Sequence, residues 1–190
     1  MIWPRRLRLV RSAEVPAGPA TTLVVGIASS GTPEEPGVAA VRLMAGWCGG
    51  RDDVRFAVGS AAVEAFEQLG RGVELLAIGT AKLGAAPGVV TTLAGAAADR
   101  LLASPEYSET APMLWATLLR LRAAGRLPAH RAVLNIEQPP VPAVHVPRAI
   151  AAAITRATAE ALALIETWRL LDRLAARCPG RRQMRPAGTA

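Results

Sequence analysis

Thr22–Val38 reads TLVVGIASSGTPEEPGV, and the fold follows from how this stretch is read. Leu23–Ile27 is an apolar run rich in β-branched residues, which favours a strand. It ends in a small-residue turn holding Pro33, Glu34, Glu35, Pro36 and Gly37. Val38, Val41, Met44 and Ala45 then recur at helical spacing, which puts them on one face. Strand, turn and helix in that order open an α/β domain. Ligands of such sheets bind outside the carboxyl ends of the strands. Glu34 and Glu35 therefore stand where chemistry is expected, although acids just before a helix also serve simply as partners of its dipole.

The rest of the chain repeats the alternation. Val54–Val58 reads as a strand, and Ala61–Leu69 as a helix with Val63, Phe66 and Leu69 on one stripe. Val73–Ile78 is almost uninterruptedly apolar, as strands buried on both faces of a parallel sheet are. After a Gly84–Gly88 turn, Val89–Leu93 is expected to form a short antiparallel or edge strand. Gly95–Thr110 carries no regular pattern. Ala111–Arg122 reads as a helix with Leu114, Leu118 and Leu121 on one side, and Arg131–Ile136 as a further strand. Gln138–Pro147 is a Pro-rich extended loop. From Pro147 the longest helix repeats Ile150, Ile154, Ala157, Ala161, Leu164, Trp168 and Leu171 until Pro179–Gly180 stops it. This order predicts a three-layer α/β sandwich around a mostly parallel sheet. A single domain over 21–176 is expected, with an irregular basic arm at 1–20 and a disordered basic tail at 177–190.

A chain of 190 residues is long enough for one real core. No apolar run approaches the roughly 20 residues that span a bilayer, and the start has no continuous apolar segment of a secretory signal. The expectation is a cytoplasmic protein without a membrane span. The formal charge of +7 is unevenly spread. Arg5, Arg6, Arg8 and Arg11, with Arg169, Arg173, Arg177, Arg181, Arg182 and Arg185, face only Asp172 in the two end stretches, so residues 12–168 are slightly acidic. Basic ends on an acidic body, with no nucleic-acid-binding motif, are read as solvated tails. Cys48 and Cys178 lack metal-site spacing, and a disulfide is not expected.

Other chemistries leave little trace. Gly26 has no G-x-G-x-x-G around it, and Ser29, Ser30 and Ser60 sit in no G-x-S-x-G elbow. His130 opens a strand beside Arg131 and is expected to be exposed. His145, in the Pro-rich loop, is the one His expected to approach the site. Glu137, just beyond the strand Arg131–Ile136, is the second candidate for a site carboxylate after Glu35. Trp115 and Trp168 read as core, and Trp47 as packing at a helix end.

Taken together, the ordered segments from about Leu23 to Trp168 resemble the maturation endopeptidases of nickel–iron hydrogenases. The resemblance rests on four stretches: Leu23–Gly37 with its acid pair; Phe56–Ser60 continued by Val63, Glu64 and Phe66; Val73–Ile78 with Pro87–Gly88 and Val89–Leu93; and Thr110–Arg122 followed by Ala132–Pro140, where Asn135-Ile136-Glu137-Gln138-Pro139 stands in the place of the family's Gly-Ile-Glu-Pro type run. It implies a protease that removes the C-terminal extension of a nickel–iron hydrogenase large-subunit precursor, with nickel supplied by that substrate protein. It also implies three contacts to nickel: a carboxylate from the first turn, a carboxylate after the second strand and a loop histidine. The first is kept as Glu35, which becomes the catalytic and metal-contact candidate, with Glu137 beside it. The second falls on Ala57 and the third on or near Thr110, and Pro36 replaces the usual glycine after the acids. A nickel site needs several convergent N/O donors. Glu34, Glu106, Tyr107, Glu109 or Glu137 would have to compensate; otherwise the chain is a degenerate relative, such as a non-enzymatic chaperone or assembly factor. An unrelated α/β domain is the third reading.

Overall fold

The computed structural model describes residues 22–27, 35–48, 51–67, 69, 72–104, 112–137 and 147–177. The arm at 1–20, the end of the tail, and the candidates Glu34, Glu106, Tyr107, Glu109, Thr110 and His145 lie outside them, as do the side chains of Leu114 and Trp115.

The elements follow as β1 (Thr22–Gly26), α1 (Pro36–Trp47), β2 (Val54–Val58), α2 (Ser60–Glu67), β3 (Glu74–Ala81), β4 (Val90–Ala94), α3 (Ala96–Leu102), α4 (Pro112–Ala123), β5 (Arg131–Glu137) and α5 (Pro147–Arg177). The strands form one sheet in the order β2-β1-β3-β5-β4. β2, β1, β3 and β5 run parallel, and β4 pairs antiparallel with β5 at the edge. The three-layer α/β sandwich with an antiparallel edge strand is the observed architecture.

Two apolar clusters sandwich the sheet, and strand alternation decides which residue enters which. Leu23, Val25 and Ile27, with Leu75, Ala77 and Val133, pack against Phe66 and Leu69, Ala98 of α3, and Leu118 and Leu121 of α4. Val24, Leu76, Ile78, Leu134 and Ile136 face the other way, onto Val41 and Met44 of α1 and onto α5. Both faces are covered, so the central strands read as continuous apolar runs.

The contact of α1 with α5 is made through small residues. Ala153, Ala157 and Ala161 repeat every four residues, are at most 2% exposed, and let the backbones approach closely. The Thr158 hydroxyl, buried in the same seam, lies 2.9 Å from the Ile154 carbonyl and 3.3 Å from the Ala40 carbonyl, which accept from it.

Several expectations are corrected. The irregular stretch from Gly95 contains α3, where three consecutive alanines favour helix and Arg131 pairs with Asp99 across the sheet edge. Leu171 is 49% exposed, not core. A 31-residue helix is about 46 Å long, against about 26 Å for an eight-residue strand, so α5 runs past the sheet. Arg169, counted with the solvated ends, pairs instead with Asp53 at 2.6 Å and Glu166 at 2.9 Å. Trp47 is 54% exposed at the end of α1. Cys48 is buried, and desolvation raises its thiol pKa.

Candidate functional site

The carboxyl ends of β1, β3 and β5 lie side by side, and the first turn of α1 is wedged onto two of them. Gly37 makes this possible: a Cβ there would lie 2.6 Å from the Ile78 carbonyl oxygen and 2.9 Å from both Gly79 Cα and the Ile27 oxygen. Only a residue without a side chain fits under that backbone. A second close approach brings in α5, because a Cβ on Gly88, whose φ is +82°, would lie 2.9 Å from the Ala149 oxygen. The Pro87–Gly88 turn and the start of α5 therefore close the same edge.

Glu35 stands at the N-cap of α1 and is only 6% exposed. Its carbonyl accepts from the Ala39 N–H at 2.9 Å, while its side chain makes no capping bond to the helix. The carboxylate still lies in the favourable field of a helix N-terminus.

Glu137 closes β5 opposite Ala81 of β3 and is 3% exposed. Its two carboxylate oxygens accept one bond each, from the backbone N–H groups of Leu83 and Gly84, both at 3.0 Å. Its main chain exchanges bonds with the same segment, accepting from Gly88 at 3.0 Å and donating to Val89 at 2.9 Å. The β3–β4 connection is held on this one residue. Backbone donors in a loop need acceptors, and an acid at the strand end supplies two at once.

The structure brings Glu35, after β1, and Glu137, at the end of β5, to the same edge, with β3 between their strands. Ala57 is in β2 beside Val25, and its methyl is packed into the cluster around Phe66. An ionised carboxylate there would be costly to bury without a partner. His130 is not at this edge. It precedes β5 at the amino end, half buried, with its ring stacked on Trp168 at 5.8 Å and Nε2 3.2 Å from Asp172 Oδ1. The expectation of an exposed His130 fails because α5 overhangs the sheet there. The signal was present in the sequence: Asp172 falls four residues after Trp168 on the apolar stripe.

By sequence the chain matches no family model and no curated protein. By structure it matches the hydrogenase maturating endopeptidase HybD from E. coli with a TM-score of 0.61 at 21% identity, over 77% of this chain and 93% of that one. The solution structure of an endopeptidase from Escherichia coli matches with a TM-score of 0.60 at 19% identity, over 77% and 93%. The [NiFe] hydrogenase maturation protease HybD from Thermococcus kodakarensis matches at 0.54 and 14%, over 76% and 98%. This chain has the fold of those endopeptidases, along nearly their whole length. Among the described residues no helix is long and apolar enough to cross a membrane.

Proposed function

We propose that this chain is a hydrogenase-maturation-protease-like protein of the cytoplasm that acts on the C-terminal extension of a nickel–iron hydrogenase large-subunit precursor. The observation that carries the reading is a buried Glu35 at the carboxyl edge of a sheet with the endopeptidase fold. In this reading the nickel ion arrives with the substrate protein. Glu35 offers it the catalytic carboxylate, and Glu137 offers the second, each of its oxygens keeping a lone pair beyond its bond to the loop.

One observation favours a second reading, a binding protein that escorts the large subunit without cutting it. The β2 position of the expected carboxylate is the buried methyl of Ala57, so among the described residues only Glu35 and Glu137 stand as carboxylate donors at this edge, fewer than a nickel coordination sphere needs. The two readings share the partner and differ in chemistry.

A nickel-loaded large-subunit precursor carrying its extension, mixed with the purified protein, separates them. Mass spectrometry follows the extension, and size-exclusion chromatography follows the complex. Cleavage that is lost in Glu35→Gln supports the protease; co-elution with the extension intact supports the escort. Neither cleavage nor co-elution sinks both.

A further inference from the structure

The opposite end of the sheet holds a polar cluster that the proposed function does not use. Reading across β2, β1, β3 and β5, the residues at the amino ends are Asp53, Thr22, Glu74 and His130. Thr22 pairs in register with Glu74, and the Leu75 N–H donates to the His130 carbonyl. By strand alternation, Thr22, Glu74 and His130 share the face of Val24, Leu76 and Ala132, which is the face that α5 covers. α5 brings Trp168 and, one turn on, Asp172 over them.

Glu74 is 4% exposed. Oε2 accepts from the Thr22 hydroxyl at 2.5 Å, whereas Oε1 has no partner among the described residues. A buried carboxylate oxygen with nothing to accept from is costly, and with an imidazole and a second carboxylate beside it the three make a donor set that suits a cation. Glu74, His130 and Asp172 each present a ligand atom within 4.8 Å of the other two. The His130–Asp172 separation of 3.2 Å already matches the edge of about 3.4 Å between ligands in a tetrahedral zinc site with bonds near 2.1 Å.

We infer that Glu74, His130 and Asp172 form a divalent-cation site of the zinc class at the amino edge, remote from the carboxyl-edge site. One imidazole nitrogen and two carboxylate oxygens are borderline-to-hard donors suited to Zn2+, with water completing the sphere from the solvent side at Asp172. Trp168 stacked on the imidazole fixes its ring plane, and the Thr22 hydroxyl on Oε2 orients Glu74 as an outer partner. The ion would pin the overhanging end of α5 to the starts of β3 and β5, a structural role.

Zn2+ titrated calorimetrically into the full, metal-stripped chain tests this, with Co2+ absorption reporting a low-coordinate N/O site. The expected result is one ion per chain and a raised Tm, with affinity lowered at least about tenfold in His130→Gln and Asp172→Asn, since losing even an outer-shell partner costs roughly 10–100-fold. Asp172 is on the surface of a helix, so Asp172→Asn tests the site in a folded chain. Glu35→Gln should bind Zn2+ as the wild type does. Absence of binding, or binding unchanged in both His130→Gln and Asp172→Asn, overturns the inference. Binding lost in Glu35→Gln but kept in His130→Gln puts the ion at the other edge and overturns it equally.

Discussion

The two ends of this sheet differ in how their polar groups are used. At the carboxyl end, where α/β proteins place their ligands, the polar groups are tied into structure: Glu137 holds a loop with both oxygens, and the β2 position is a buried methyl. At the amino end, polar residues converge beyond what the backbone requires, with an orphaned carboxylate oxygen among them. The fold supplies helix N-termini and a crevice at one edge whatever the sequence. Which edge carries converging donors depends on single side chains, and these change without disturbing the sheet. The matched endopeptidases share this chain's fold at 14–21% identity, a level at which the fold persists and the side chains at its strand ends need not.

The contrast is sharpened most by Glu137→Ala. It removes two charge-assisted bonds, each worth about 1.5–3 kcal/mol, and leaves two loop N–H groups unpaired. A loss of about 3 kcal/mol in urea unfolding is expected. A loss near zero would mean that the loop holds without its clamp. Gly37→Ala comes next. Its methyl meets backbone rather than a movable side chain, so an overpacking cost of about 2 kcal/mol is expected from thermal melts. A melt matching the wild type would show that α1 can lift off the strand ends.

The smallest effect is on the amino side, at the Asp99–Arg131 pair, where each side chain is 20% exposed. Two guanidinium nitrogens of Arg131 reach both Asp99 oxygens, and a third donates to the Pro128 carbonyl at 2.8 Å. Hydrogen bonding from Arg131 lowers the Asp99 pKa. Its contribution is therefore fully present above the unfolded value of about 3.9 and is lost as pH falls through the lower folded value. Asp99→Asn should cost about 1–2 kcal/mol at pH 7, between the exposed and the buried limits for ion pairs. It should also flatten the acid limb of a stability–pH curve below about pH 4. An unchanged acid limb would show that other carboxylates govern acid unfolding.

Much of this could be read before any coordinates. Periodicity located the strands to within a few residues, because strands covered on both faces are largely apolar, as Leu23–Ile27 is and as Val73–Ile78 is but for Glu74. The edge strand after Pro87–Gly88 was legible from its turn and its weaker apolarity. Glu35 and Glu137 were legible as carboxyl-edge residues because position at a strand end follows from chain order. The helix Ala96–Leu102 was not, since alanines mark no face. The exposure of Leu171 was missed because a helical stripe continues in sequence after the sheet beneath it has ended.

By itself, the sequence determined the order of strands and helices, the apolar faces and the acids of the first turn, since these depend on local periodicity and chain order. Tertiary structure alone decided that Glu137 is a loop clamp, that Arg169 is an ion-pair partner rather than part of a solvated end, and that Glu74, His130 and Asp172 meet. Those three are separated by 56 and 42 positions along the chain, and only sheet register combined with the overhang of α5 brings their side chains within bonding range.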